Sequence, residues 1–161
     1  MTEPVSTTTV AKNVAHVRRY FETIWNRGQL ERESEFVAQD VVVHAPPIPG
    51  IPEGIGGPLA IVGTFRAAMP DLHLTQEVVF GQDDKVVQVW TTRGTHAGGD
   101  LFGFPPSGKE LVLIGINIFR IADGRIAERW GSMDLMGMMQ QLGAAPATSE
   151  DLLDMRKGWY S

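Results

Sequence analysis

A chain of 161 residues, 43% hydrophobic and 20% charged, fits one globular domain and excludes fibrous, collagen-like and wholly disordered classes. A formal net charge of −5, with no cationic cluster beyond Arg18-Arg19, argues against nucleic acid or an anionic membrane as partner. The lack of cysteine removes disulfides, thiolate metal sites and cysteine nucleophiles.

In chain order, the polar start MTEPVSTTTV has neither the basic nor the apolar region of a signal peptide. Residues 1–12 are expected to form a flexible end, 13–145 one domain, and 146–161 a tail. Val14, Val17, Tyr20, Phe21, Ile24 and Trp25 recur at helical spacing, which predicts an amphipathic helix over 11–27 that stops near Gly28. A short helix over 30–38 then precedes a strand of Val41, Val42 and Val43 ending at His44. The segment 46–58 packs five Pro and four Gly into thirteen positions, so it reads as an irregular loop. Such loops in compact domains are more often functional than accidental. Helical spacing returns at Leu59, Ile61, Val62 and Phe65, and Pro70-Asp71 closes that helix.

The second half changes period. Residues 73–80, 85–96, 110–121 and 125–134 are rich in β-branched and aromatic residues and predict four strands. Asp123-Gly124 between the last two is a hairpin signal. Leu111–Phe119 is apolar at both parities, which predicts a strand covered by helices on one side and facing an enclosed space on the other. A short helix follows Asp134, and Thr148 or Ser149 can cap a last helix over 148–157. Helices first and an antiparallel sheet later give the α+β class. No apolar run approaches the ~20 residues of a spanning helix, so a cytoplasmic protein is expected.

Several residues could carry chemistry. Asp134 follows Ile126, Glu128, Trp130 and Ser132 at period two. Enclosed by Trp130, Met133 and Met136, its carboxyl would be pushed up toward neutral pH and suit proton transfer; alternatively it caps the following helix. His96 ends a strand beside glycines, where it serves either as acid, base or oxyanion donor, or as a satisfied structural residue. His44 closes the first strand in a similar setting. Asn117 interrupts an apolar strand, so its amide either lines a polar spot in a cavity or bonds locally. Arg120 lies at the opposite parity and either pairs with a carboxylate such as Asp134 or stands exposed. Trp25, Trp90, Trp130 and the cluster Met133, Met136, Met138 and Met139 are either ligand-binding surface or core. No paired-histidine spacing suggests a metal.

Taken together, several motifs resemble the SnoaL-like polyketide cyclase (ester cyclase) family. They are Gly94-Thr95-His96, Gly103-Phe104-Pro105-Pro106-Ser107-Gly108-Lys109, Phe119-Arg120, Asp123-Gly124-Arg125-Ile126, Glu128, Trp130, Asp134 and Gln141-Leu142-Gly143. Trp25-Asn26-Arg27-Gly28, His44-Ala45-Pro46 and Met69-Pro70-Asp71-Leu72 are similar too, so the likeness spans about residues 14–143. It implies an NTF2-like α+β barrel, a curved antiparallel sheet wrapped by N-terminal helices around an apolar pocket. It implies neither metal nor organic cofactor. It implies that Asp134 is the acid/base of an intramolecular aldol condensation that closes a ring in a hydrophobic polyketide. On this reading His96 or Arg120 stabilises the enolate-like oxygen. His44, Asn117, Trp130, Trp25 and Met133 contact substrate, and the 46–58 loop forms part of the pocket mouth. Sheets of this superfamily often pair through their outer faces, so a homodimer or homotetramer is expected. The rival readings keep the pocket for dehydration, isomerisation, hydroxylation or epoxide opening, or for binding without catalysis.

Overall fold

The computed structural model describes residues 7–44 and 50–144. The helix expected over 148–157 and part of the Pro/Gly segment lie outside the described residues. Helix α1 spans Thr7–Tyr20 and runs on as a π-helical turn, Phe21–Asn26. It starts earlier than the apolar spacing indicates, because its first turns (Thr7, Ala11, Lys12) are exposed and need no apolar face. The wider π turn buries Phe21, Thr23, Ile24 and Trp25 together. Gly28, at φ 69°, lets the chain leave the helix. The guanidinium of Arg66 lies against it and donates to the Trp25 and Asn26 carbonyls. A 3-10 turn (Leu30–Arg32) and a one-turn α2 (Glu33–Phe36) lead into β1 (Val37–Val43). Helix α3 (Gly56–Ala68) follows, then β2 (His73–Gln82), β3 (Lys85–Thr95), β4 (Glu110–Ala122), β5 (Arg125–Met133) and α4 (Leu135–Gln141).

The strands form one curved sheet in the order β1-β5-β4-β3-β2. β2 to β5 pair antiparallel, whereas β1 runs parallel to β5. The β4–β5 turn places Asp123 and Gly124 at φ 50° and 72°, the left-handed pair that a tight hairpin requires. Register fixes which residues share a face. Val86, Gln88, Trp90, Thr92 and Gly94 of β3 are buried, as are Leu111, Leu113, Asn117, Phe119 and Ile121 of β4. The helices cover this concave face, and a chain of aromatic contacts runs through Phe119, Phe21, Trp25, Phe65 and Phe102.

The opposite face corrects one expectation. β4 does not face an enclosed space on its second side. Ile114 and Ile116 are each 49% exposed, and Ile118, Val78 and Phe80 are exposed with them. Helices and interior lie on the same side of the sheet, so a single chain leaves its convex face open. Among the described residues, no helix is long and apolar enough to cross a membrane.

The segment between β3 and β4 is pinned to the end of α3. Gly98 and Gly99 donate their N–H groups to the Ala68 and Ala67 carbonyls at 3.0 and 2.8 Å, which satisfies the helix C-terminus. A Cβ at Gly98 would run into the Ala67 carbonyl oxygen. Gly98→Ala is therefore expected to cost about 1–3 kcal/mol, read as a lower denaturant midpoint.

Candidate functional site

Across the largely apolar concave face runs a line of polar side chains, one on each of four neighbouring strands. Gln76 (β2), Gln88 (β3), Asn117 (β4) and Arg129 (β5) meet because the register pairs Gln88 with Asn117 and sets Gln76 and Arg129 alongside. Gln88 Nε2 donates to Gln76 Oε1 at 3.1 Å, and Asn117 Nδ2 donates to Gln88 Oε1 at 2.9 Å. Asn117 Oδ1 accepts from Arg129 Nε and Nη2 at 3.2 and 3.1 Å. Gln76 Nε2 closes the far end on the Arg18 carbonyl at 3.2 Å. Buried amides must be hydrogen-bonded, and a chain of them fixes the orientation of its last member. Here that member is a guanidinium whose Nη1 has no hydrogen-bond partner among the described residues. Glycine at 131 leaves room for it: a Cβ there would stand 3.0 Å from Asn117 Oδ1 and 3.3 Å from Arg129 Nη2.

A buried acid faces this cation. Glu33 of α2 is 2% exposed. The Tyr20 hydroxyl donates to its Oε1 at 3.0 Å, and its Oε2 has no hydrogen-bond partner. Burial pushes the Glu33 carboxyl up to about 7, against the Tyr20 hydrogen bond and the Arg129 charge, which hold it down. Burial, and then the Glu33 charge, raise the Tyr20 phenol, while burial lowers Arg129. Two further buried groups on β3, Trp90 Nε1 and Thr92 Oγ1, also lack partners. Trp90 lies flat on Gly115, where any Cβ would strike its ring. The interior thus holds a fixed cation, a carboxyl near neutrality and three unpaired polar groups, the third being Trp25 Nε1, all among aromatic walls. Such a set can bind a carbonyl oxygen, stabilise it as negative charge develops, and exchange a proton.

The residues singled out in the sequence fall into separate groups. Asn117 is the centre of the polar line. Trp25 is buried in the aromatic chain, stacked on Phe21 at 5.8 Å and set against Phe65. Met133 packs partly buried against the core, opposite Gly115. His96 is fully buried, but its ring is held by Ser107 Oγ and the Gly99 carbonyl, both at 3.2 Å. Its backbone bonds to Gly108 and Lys109 close the β3–β4 segment.

His44, Trp130 and Arg120 lie on the convex face and do not join Asn117 in one pocket. The His44 ring stacks on Trp130 at 4.5 Å and 9°, with Nε2 on Glu128 Oε2 at 2.8 Å. Arg120 Nε donates to Glu128 Oε1 at 2.6 Å, so it pairs with Glu128 rather than with Asp134. The His44 and Arg120 bonds lower the Glu128 carboxyl below its ordinary value. The division follows from strand parity: Glu128, Trp130 and Ser132 point away from Arg129, Gly131 and Met133. A shallow polar groove of about 580 Å³ also opens nearby, lined among others by Ser34, Gln39, Asp40, Arg120 and Arg125. It carries both signs of charge and none of the concave residues.

Asp134 continues the convex parity. It is exposed, and its Oδ1 accepts the Gly137 N–H at 2.8 Å as the N-cap of α4. The apolar enclosure expected around it does not form, because α4 packs on β4 through Met138 and Gln141 and leaves Met136 43% exposed. Asp134→Ala is expected to lower stability by about 1 kcal/mol through loss of the cap, measured by chemical denaturation.

Arg129, Glu33, Tyr20, Gln88 and Gln76 escaped the sequence reading. Gln88 carries a signal, since it shares parity with Val86 and Trp90. Arg129 is set apart only by being out of step with Glu128 and Trp130. Glu33 has none, because a single helical turn shows no period. Among the described residues, no group of three or more His, Asp or Glu is placed to hold a metal ion.

A family model described as SnoaL-like polyketide cyclase matches residues 15–142. Among solved structures, TsrD from Streptomyces laurentii is 30% identical, with a TM-score of 0.73 over 82% of this chain and 96% of its own. A proposed SnoaL-like polyketide cyclase from Jannaschia sp. CCS1 is 26% identical, with a TM-score of 0.76 over 88% and 98%. IdmH from Streptomyces antibioticus, a proposed polyketide cyclase, is 31% identical, with a TM-score of 0.68 over 81% and 98%. No curated protein matches the chain at a significant level.

Proposed function

Because the chain belongs to the SnoaL-like polyketide cyclase family, we propose that it binds a hydrophobic, polyketide-like molecule against its concave face and closes a ring in it by acid/base chemistry. The reaction is an intramolecular aldol addition that draws on no metal or organic cofactor. A carbon between two carbonyls loses a proton, the resulting enolate attacks a further carbonyl of the same chain, and the new alkoxide takes a proton. Negative charge gathers on oxygen in both halves of the reaction. The observation that carries this reading is the polar line ending in Arg129, with the unpaired Trp90 Nε1 and Thr92 Oγ1 further along β3 on the same face. Unpaired buried donors are costly unless a ligand meets them. The fixed guanidinium suits an enolate oxygen, and the aromatic walls suit a flat conjugated body.

Binding of anthraquinone and anthracene, followed by quenching of tryptophan fluorescence, tests the site. The two molecules share a shape and differ in their carbonyl oxygens. Anthraquinone is expected to bind at least about tenfold more tightly, because the unpaired donors are satisfied only by an acceptor. Equal affinity, or no binding of either, removes the basis of the reading. Turnover of an aromatic β-keto ester that can cyclise, followed by absorbance, then separates an enzyme from a binding module.

The convex face supports a homodimer. Ile114, Ile116, Ile118, Val78 and Phe80 are exposed together on this face, the kind of apolar patch that a second subunit covers. Sedimentation is expected to return a dimer for the native chain and a monomer for Ile116→Lys. A native monomer rejects the assignment.

A further inference from the structure

We propose that Glu33 is the proton acceptor of this site, with Tyr20 orienting its carboxylate and Arg129 receiving the negative charge that proton removal creates. The inference rests on the reading that substrate lies against the concave face. It differs from the strand-end assignment to Asp134, whose carboxylate is exposed and engaged in capping α4.

The geometry is specific. Glu33 has one oxygen held and one oxygen without a partner. Oε1 is fixed by the Tyr20 hydroxyl at 3.0 Å, and Oε2 is buried without a partner. A buried, unpaired carboxylate oxygen is costly to keep, and a structural role would not leave it unsatisfied. The neighbouring groups complete a base. From α1 the Tyr20 hydroxyl faces Glu33, and from β5 the Arg129 charge does so. The other nearby charges are engaged elsewhere: Arg32 with Glu35, His16 with the Phe36 carbonyl, and Arg125 with the Ser34 carbonyl. Burial places the acid near neutrality, where a general base works best. In the reaction, Oε2 forms a bond to the departing proton. The C–H electron pair becomes the enolate, whose oxygen sits against the Arg129 guanidinium. The protonated Glu33 then returns that proton to the alkoxide formed on ring closure, so the cycle consumes nothing.

A nitrobenzisoxazole probes the base without knowledge of the natural substrate. It is uncharged, flat and apolar. A base removes its ring C–H proton, the N–O bond breaks, a nitrile forms, and the electron pair leaves on a coloured cyanonitrophenolate. The native protein is expected to accelerate this opening above an equal concentration of free carboxylate, with a pH–rate inflection near 7. Glu33→Gln is expected to lower the rate by about 10²-fold and abolish the inflection. Tyr20→Phe removes the hydrogen bond that orients the carboxylate and favours its ionised form, so it should move the inflection upward and lower the plateau rate as well. The proposal is overturned if Glu33→Gln, shown folded by circular dichroism, keeps the rate and profile of the native chain. It is equally overturned if the loss occurs in Asp134→Asn instead. If the native protein binds anthraquinone but does not open the probe, Glu33 is not the base and the site reading stands. If it does neither, both fall.

Discussion

Arg129→Met is expected to lower kcat/KM for a cyclising substrate by about 10²–10³-fold and folding stability by about 2–4 kcal/mol. Two separate losses add up here. Asn117 Oδ1 gives up both of its donors and becomes a buried, unsatisfied acceptor. The Glu33 carboxylate gives up the positive charge that offsets its burial. Methionine fills most of the volume, so the cost is electrostatic rather than a cavity. The catalytic loss comes from the oxyanion, which is left facing a thioether. Steady-state kinetics and urea denaturation read the two effects separately. A variant with unchanged stability and tenfold or smaller loss of turnover, taking about tenfold as the least that one preorganised donor supplies, would place the working site elsewhere.

Glu33→Gln is expected to do the opposite to stability. At pH 8–9 it should raise it by about 3 kcal/mol, with little change near pH 4. The sign follows from linkage. In the unfolded chain the Glu33 carboxyl ionises near its ordinary 4.5, whereas in the native state burial holds it protonated up to about 7. Between these values the native state binds the extra proton, so stability falls as pH rises through the window. Above it, the native chain carries a buried charge at full cost. Glutamine keeps the shape and the hydrogen bond from Tyr20 but cannot ionise. The pH dependence of the denaturation midpoint should therefore flatten between about 4.5 and 7 in the variant. The depressed carboxyls of Glu128, Glu22, Glu35 and Asp71 have the reverse sign and act at lower pH, where their bonds fail as they protonate. A parallel pH profile in variant and native chain contradicts the buried-acid account. The pair of variants also forms a test of coupling. If Arg129 acts on Glu33, the Arg129→Met cost at pH 8–9 should shrink when Glu33 is already glutamine.

Strong local repeats carried the fold. The apolar spacing of Val14 to Trp25, the alternation along β3 and the Asp123-Gly124 turn each depend on residues close in sequence, and each lies where the pattern places it. So does the short helix after Asp134. The π turn was not legible. It arises from packing Phe21, Thr23, Ile24 and Trp25 onto the sheet together, not from any local preference.

The site was legible only in part. Asn117 stood out because an amide inside an apolar strand demands partners, and Trp25 stood out as an aromatic at helical spacing. The family resemblance implies that Trp130 and His44 contact substrate. They instead bury one another by stacking on the convex side. Arg129 carries no sequence signal of burial, since charge favours water, yet three amides and an open glycine hold it inside.

By itself the sequence determined the elements, their order, the α+β class and the family, since periodicity, turn chemistry and motif spacing are properties of neighbouring residues. Only the tertiary structure decided which face of each strand the helices cover. That choice sends Glu128 and Trp130 outward and Arg129 and Gly131 inward. It brings Glu33 and Tyr20 to the same cation from distant parts of the chain. A one-residue step along β5 separates surface from site, and sequence periodicity cannot say which parity the core will claim.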